Sequence, residues 1–220
     1  VALSYRLLVR AFFLPAPDVV ARALVGKLLL RHLPGVPEVL AGRIVETEAY
    51  FGEDDPAAHA FAGRTPRNAV LWGEPGHAYV YFIYGMHSCL NVSCEPTGRA
   101  GCVLVRALEP VSGIAEMARL RGLSSHVAAG AVPDATRRRL TSGPGRLCQA
   151  LGITRAFGNG LDLLSSDSPL QLVGDDFTAA AVTVTPRIGI SKAADRPLRF
   201  LLTGNTHVSG TRSSGRGNKP

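Results

Sequence analysis

The sequence predicts one globular domain that mixes short β-strands with a few short helices. Three observations lead there. The chain has 220 residues, ordinary for a single domain with a substantial core. Its residues are 46% hydrophobic and 19% charged, the balance of a folded protein rather than a disordered one. Apolar segments of strand length recur along the chain, with no internal repeat and no Pro/Gly/Ser-rich linker between them. The domain is therefore expected over residues 1–208, with a disordered basic tail over 209–220, SGTRSSGRGNKP.

The elements follow in order. Asp18, after Pro15 and Pro17, is placed to cap a helix running to about Val25, with Val20, Ala21, Leu24 and Val25 on its apolar side. Lys27–His32 and Val39–Ala49 read as strands around the turn-rich Pro34-Gly35-Val36-Pro37. Phe51–Gly76, rich in Gly, Pro and charge, reads as a long ordered loop, the kind that often carries function. Ala78–Ile83 and Ser88–Ser93 are strands joined through Tyr84-Gly85-Met86-His87, which is hairpin grammar. Gly101–Leu108 is a further strand. A helix is expected from Glu109-Pro110 to about Arg121, with Val111, Ile114, Met117 and Ala118 at helical spacing. Leu123–Arg139, poor in large apolar residues, reads as a loop; Ser142 is placed to cap a helix over Pro144–Leu151 that Gly152 ends. Strands at Leu170–Val173, Val182–Ile188 and Leu198–Thr203 complete the body.

The chemistry concentrates in a few segments. In Gly42–Tyr50, GRIVETEAY, a period of two puts Glu46, Glu48 and Tyr50 on one face of an apolar strand. Ionised carboxylates are scarce at half-buried strand ends, so this is either a solvated end or a general base held in a pocket. In the strand after Gly101, Cys102, Leu104, Arg106 and Leu108 share a face, which gives Arg106 an apolar setting and a need for an anionic partner. Glu48 is the attractive candidate: the pair would hold one water in a fixed orientation, or else form a structural salt bridge. Tyr50, His59 and Tyr81 are flat enough to stack a purine, and each equally suits a core aromatic. Tyr84, at the hairpin tip beside Met86, is placed either to wedge into a duplex or to pack on a neighbouring loop.

The formal net charge of +7 makes a polyanion a plausible partner. Arg64, Arg67, Arg146, Arg187 and Lys192 lie on separate loops and termini where they could track a phosphate backbone or simply face solvent. The six histidines are scattered, with no HxH, HExxH or compact His/Cys cluster, so neither a catalytic metal nor any cofactor is expected. Cys89, Cys94, Cys102 and Cys148 form no CxxC pair and read as buried free thiols of a reducing compartment. No apolar run is long enough to span a bilayer and the start lacks a signal-peptide layout, so a cytoplasmic protein is expected, nucleoid-associated if bacterial and nuclear if eukaryotic.

Six blocks in order, GRIVETEAYFGEDDPAAHA, GRTPRN, YVYFIYGMHSCLNVS, GCVLVRALEP, SGPGRLCQALGI and PRIGISKAADRPLRF, resemble the alkyladenine (3-methyladenine) DNA glycosylase family over about residues 5–208. The resemblance implies a single α+β domain with a mixed, mainly antiparallel sheet, surrounding helices and a protruding β-hairpin that enters the DNA minor groove. It implies a monofunctional glycosylase, working as a monomer on double-stranded DNA, that flips alkylated or deaminated purines of the 3-methyladenine, hypoxanthine and ethenoadenine class into a pocket and leaves an abasic site. Matched residue by residue, Glu48 resembles the general base that activates water, with Arg106 and the Ile188 carbonyl holding that water. Tyr50 resembles one wall of the base stack and His59 with Tyr81 the other. Asn91 resembles the residue that discriminates against the guanine amino group, and Leu104 a lining residue. Tyr84 resembles the side chain that fills the gap left by the extruded nucleotide; Met86, His87, Gly189, Arg64, Arg67, Arg146 and Lys192 are placed with it on the DNA side. Glu46 matches the pattern but takes no role from it. His87, beside that wedge, departs from the family pattern. The rivals are a non-catalytic binder of damaged or bulged nucleic acid, which has no use for Glu48 with Arg106, and a metal-dependent nuclease, which needs clustered carboxylates.

Overall fold

A computed structural model describes residues 4–83, 87–124 and 132–210. Its strands are β1 (Arg6–Leu7), β2 (Leu28–Arg31), β3 (Leu40–Tyr50), β4 (Ala78–Ile83), β5 (His87–Cys94), β6 (Gly101–Ser112), β7 (Leu170–Gly174), β8 (Val182–Thr185) and β9 (Arg199–Leu202). They form one sheet in the order β1-β7-β2-β3-β6-β5-β4, with β9 pairing both β3 and β8. Every pairing among the described residues is antiparallel, so the expected mixed sheet is a purely antiparallel one there. The helices are α1 (Pro17–Leu24), α2 (Ile114–Leu120), α3 (Asp134–Thr141), α4 (Pro144–Ala150) and α5 (Arg155–Gly158). No helix among the described residues is long and apolar enough to cross a membrane.

Several boundaries differ from the sequence expectation for local reasons. Pro17 takes the first position of α1, where its missing N–H costs nothing, so Asp18 lies inside the first turn and caps nothing. Likewise Gly143, not Ser142, precedes α4, and the Ser142 hydroxyl accepts from Arg146 Nη1 at 3.2 Å. Strand β6 runs through Glu109 and Pro110 to Ser112, because Gly42 and Arg43 of β3 pair with that stretch. The turn into α2 waits for Gly113, whose φ of 68° any other residue would adopt only with strain. In place of the last part of the expected loop over 123–139, α3 forms; it buries Thr136 and, just past the loop, Leu140, exposes Arg138 and Arg139, and donates from Arg137 Nη2 to the Pro110 carbonyl at 2.9 Å. The ordered body also passes residue 208: Ser209 is buried, whereas 211–220 lie outside the described residues.

Strand β3 organises the site. Along one edge its first half, Leu40–Arg43, pairs with β2, and its second half, Glu46–Glu48, pairs with β9. Its other edge runs the full length of β6, with register shifts on both sides of Glu46. Bulges of this kind bend a strand and re-aim its side chains, and they gather near functional sites. Here the shift returns Leu108 to the main core with Val103 and Val105, correcting the expectation that Leu108 shares the face of Arg106.

That main core joins Leu24 of α1, Val45, Ala49, Leu90 and Val103 of the sheet, and Met117, Leu140 and Leu147 of the helices. A smaller cluster of Ala60, Leu71, Tyr79, Ala100 and Cys102, with Tyr50 and Tyr81 packed against it, stands apart. The sheet thus has a thick helix-covered face and a second face whose apolar layer is thin and aromatic.

Candidate active site

Residues directly opposite in neighbouring strands project to the same side. One such row crosses five strands: Arg199 of β9 opposes Glu48 of β3, Glu48 opposes Leu104 of β6, Leu104 opposes Asn91 of β5, and Asn91 opposes Tyr79 of β4. Two residues further along β3, Tyr50 opposes Cys102. The register therefore brings Glu48, Leu104, Asn91 and the tyrosines together from segments scattered through the sequence.

Glu48 and Glu46 are both completely buried. Glu48 accepts three hydrogen bonds: from Tyr50 Oη at 2.9 Å and Arg106 Nη1 at 3.1 Å on Oε2, and from the Ile188 amide at 2.9 Å on Oε1. Glu46 accepts four, from Arg106 Nε at 2.8 Å, Arg199 Nε at 2.7 Å and Ser209 Oγ at 2.8 Å on Oε1, and from the Ser209 amide on Oε2. Two guanidinium groups thus face two carboxylates, and the burial cost of each charge is met by direct pairing. Burial works against the Arg106 charge, but Glu48 and Glu46 outweigh it and hold its pKa above the usual guanidinium value.

Beside this cluster lies a cavity of about 200 Å³. It is lined by Tyr50, His59, Tyr79, Tyr81, Asn91 and Cys102, with Gly189 and Ile190 contributing from the loop after β8. Pockets for drug-sized ligands run from about 300 to 1,000 Å³, so this one suits a single flat group. His59 stands edge-on to Tyr81 with ring centroids 4.4 Å apart, and its Nδ1 lies 2.9 Å from Tyr79 Oη. Burial, reinforced by the nearby Arg67, lowers the His59 pKa and favours the neutral ring. Burial first, then the Glu48 charge and hydrogen bond, raise the Tyr50 pKa, so its hydroxyl remains a donor. The Cys102 thiol is pushed up to about 12 by burial and is an inert wall. Asn91 donates from Nδ2 to the Tyr79 carbonyl at 3.2 Å, which fixes its amide in the cavity wall.

Residues 11–206 match the methylpurine-DNA glycosylase family. The chain belongs to that family. A protein of Koribacter versatilis, provisionally named a 3-methyladenine DNA glycosylase, is 54% identical over 92% of this chain and 93% of its own. Proteins with the same provisional name from Rhodopseudomonas palustris (strain BisB18) and Nitrosospira multiformis are 48% and 46% identical, over 91% and 86% of this chain and 89% and 87% of theirs. The chain is accordingly a DNA glycosylase of the 3-methyladenine type.

In this glycosylase the other sequence-expected residues are placed less uniformly. Leu104 is buried between Glu48 and Asn91, and Ile188 meets Glu48 through its amide. Arg64, Arg67, Arg146, Lys192 and His87 are exposed, and Gly189 lines the cavity with φ 77°. Tyr84 and Met86 lie outside the described residues. Arg187 is corrected outright. It is 3% exposed, forms a two-pronged ion pair with the fully buried Asp55, and donates to the Ala49 carbonyl at 3.0 Å, so it cannot track a phosphate backbone. Its guanidinium instead sits 4.6 Å from the Tyr50 ring centre.

Sequence reasoning missed four participants: Asp55, Arg187 in this buried role, Arg199 and Ser209. Asp55 stands in an acidic, Gly- and Pro-flanked loop that reads as exposed, and Ser209 opens a run of Ser, Gly and Arg that reads as tail. Only the alternation of Arg199 with Leu198 and Phe200 hinted at a strand position. Among the described residues no group of three or more His, Cys, Asp or Glu side chains is placed to hold a metal.

Proposed function

We propose that this glycosylase draws a damaged purine nucleotide out of duplex DNA, holds the base in the aromatic cavity and hydrolyses its N-glycosidic bond with Glu48 as general base. The observation that carries this reading is the buried Glu48 carboxylate, oriented by three donors and tied through Tyr50 to the cavity wall. Oε2 carries two of those donors and Oε1 only one, so the free acceptor position for a water lies on Oε1. Glu48 takes a proton from that water as its oxygen bonds to the sugar C1′. The C1′–N bond breaks, and its electron pair leaves with the base. Arg106 and the Ile188 carbonyl orient the water. A purine made cationic by alkylation departs as a neutral base, so part of the selectivity arises from the leaving group itself.

Tyr50 stacks on one face of the base, with His59 and Tyr81 on the other. Asn91 projects an amide where an exocyclic amino group of guanine would meet an unfavourable donor. Leu104 stands between Glu48 and Asn91 in the same row of the sheet. Ethenoadenine and hypoxanthine share the flat shape the cavity selects. No lysine lines the cavity among the described residues, which supports a monofunctional reaction ending at an abasic site. Tyr84, flanked by Met86 and His87, fills the gap left in the stack. Arg64, Arg67, Arg146, Lys192 and the Gly189 backbone contact phosphates, with the protein acting as a monomer on damaged duplex DNA.

The deciding experiment incubates the wild type and Glu48→Gln with duplexes each bearing one defined lesion. Free base and abasic sites are then measured. The variant should retain affinity for lesion DNA while release falls by roughly 10²–10⁴-fold. Undiminished release would remove Glu48 from the mechanism.

A further inference from the structure

After β9 the chain turns at residues 203–206 and comes back to the catalytic cluster as His207–Gly210. Ser209 is 6% exposed. Its hydroxyl donates to Glu46 Oε1 at 2.8 Å and accepts from Arg106 Nη2 at 3.2 Å, while its carbonyl accepts from Arg199 Nη2 at 2.8 Å. A side chain added at Gly210 would come within 3.1 Å of Ile188 Cδ1, so the same segment packs against the residue whose amide holds Glu48.

A guanidinium is planar and rigid, so fixing two of its nitrogens fixes the third. Arg106 has Nε on Glu46, Nη2 on Ser209 and Nη1 on Glu48. We propose that Ser209 is a positioning residue for the glycosylase reaction: by pinning the Nη2 corner of Arg106 it aims Nη1 at Glu48, and the returning segment sets the reactive carboxylate from two sides. This rests on the reading of Glu48 as the base. Without the hydroxyl, Arg106 keeps Nε on Glu46 and Nη1 on Glu48 but loses its third tether, so the 3.1 Å contact with Glu48 must hold itself in place and loosens. None of the hydrogen bonds of Ser209 among the described residues reaches the cavity lining or the exposed arginines, so lesion binding does not depend on it.

The test compares wild type, Ser209→Ala and Glu48→Gln on methylated duplex DNA under single turnover. Affinity is measured separately on a duplex bearing an abasic-site analogue. Ser209→Ala should release methylpurines roughly tenfold more slowly, short of the ~10²-fold that a 1 Å misplacement can cost, with affinity unchanged within about twofold. A wild-type release rate in Ser209→Ala, or equal losses of rate and affinity, overturns the proposal. If Glu48→Gln is inactive while Ser209→Ala matches the wild type, only the positioning role fails. If Glu48→Gln is active, the reading of the base itself fails.

Discussion

Glu46 and Glu48 sit two residues apart on one strand, face the same way, are equally buried and share one arginine, yet their surroundings differ in kind. Glu46 takes four donors from Arg106, Arg199 and Ser209, all belonging to the scaffold. Glu48 has three, and one of them is the hydroxyl of a cavity wall. A carboxylate bonded only to scaffold groups is a structural anchor; one bonded to the wall of a substrate-sized space is placed for proton transfer. Burial and charge alone do not distinguish the two; the origin of their donors does.

The strongest way to break this comparison is to neutralise each in turn. Glu48→Gln carries the largest expected effect, the loss of base release described above. Asp55→Asn comes next and probes the wall rather than the base. Burial by itself would raise the Asp55 pKa, but the hydrogen bonds from Arg187 and the Ala57 amide outweigh it and hold the carboxyl below its ordinary value. A depressed folded-state pKa stabilises the fold above the unfolded value and loses that contribution as pH falls through the folded one. Asp55→Asn, which leaves a buried guanidinium short of its partner, should cost about 3–5 kcal/mol near neutral pH. The gap between the two urea-melt stabilities should shrink as pH drops below the ordinary carboxylate range; a gap independent of pH would show that the pair is not ionic.

Glu46→Gln is the sharper counterpart. Loss of charge-assisted bonds to buried arginines should lower stability by about 1–3 kcal/mol, seen in the same melts. Release per folded molecule should fall far less than in Glu48→Gln. Equal losses of release would erase the distinction between anchor and base. Smallest are the exposed arginines: Arg64→Ser and Arg67→Ser should weaken duplex binding uniformly across lesions. Each should reduce the slope of log affinity against log salt by about one if it contacts a phosphate. An unaltered slope would place that residue off the DNA.

Much of this was legible beforehand, and the residues show why. The period of two over Glu48 and Tyr50 survives because β3 keeps its pleat from Thr47 to Tyr50 against β6, and Glu46 keeps it through regular pairing with β9, Leu201 opposite Glu46 and Arg199 opposite Glu48. The strands expected over Ala78–Ile83 and Ser88–Ser93 form as β4 and β5 and pair antiparallel. Leu108 went astray because a register shift leaves no mark on composition, and the helix expected at Glu109 went astray because Pro110 is tolerated in a strand where Gly42 faces it. Ser209 and Arg187 were misjudged for a different reason. Both are polar residues in polar stretches, and only long-range pairing with Glu46 and Asp55, more than 130 positions away in the chain, buries them.

Tyr50 has a consequence of its own. Its ring is a partition of the substrate chamber, its back is braced by Arg187, and its hydroxyl ends on Glu48. Any tilt of that ring to accept a thicker or misaligned guest also drags a proton donor off Oε2 of the Glu48 carboxylate. On the proposed reading of Glu48 as the base, fit and reactivity are mechanically geared to each other at one side chain, so a poorly seated base would meet a detuned catalyst without any separate proofreading step.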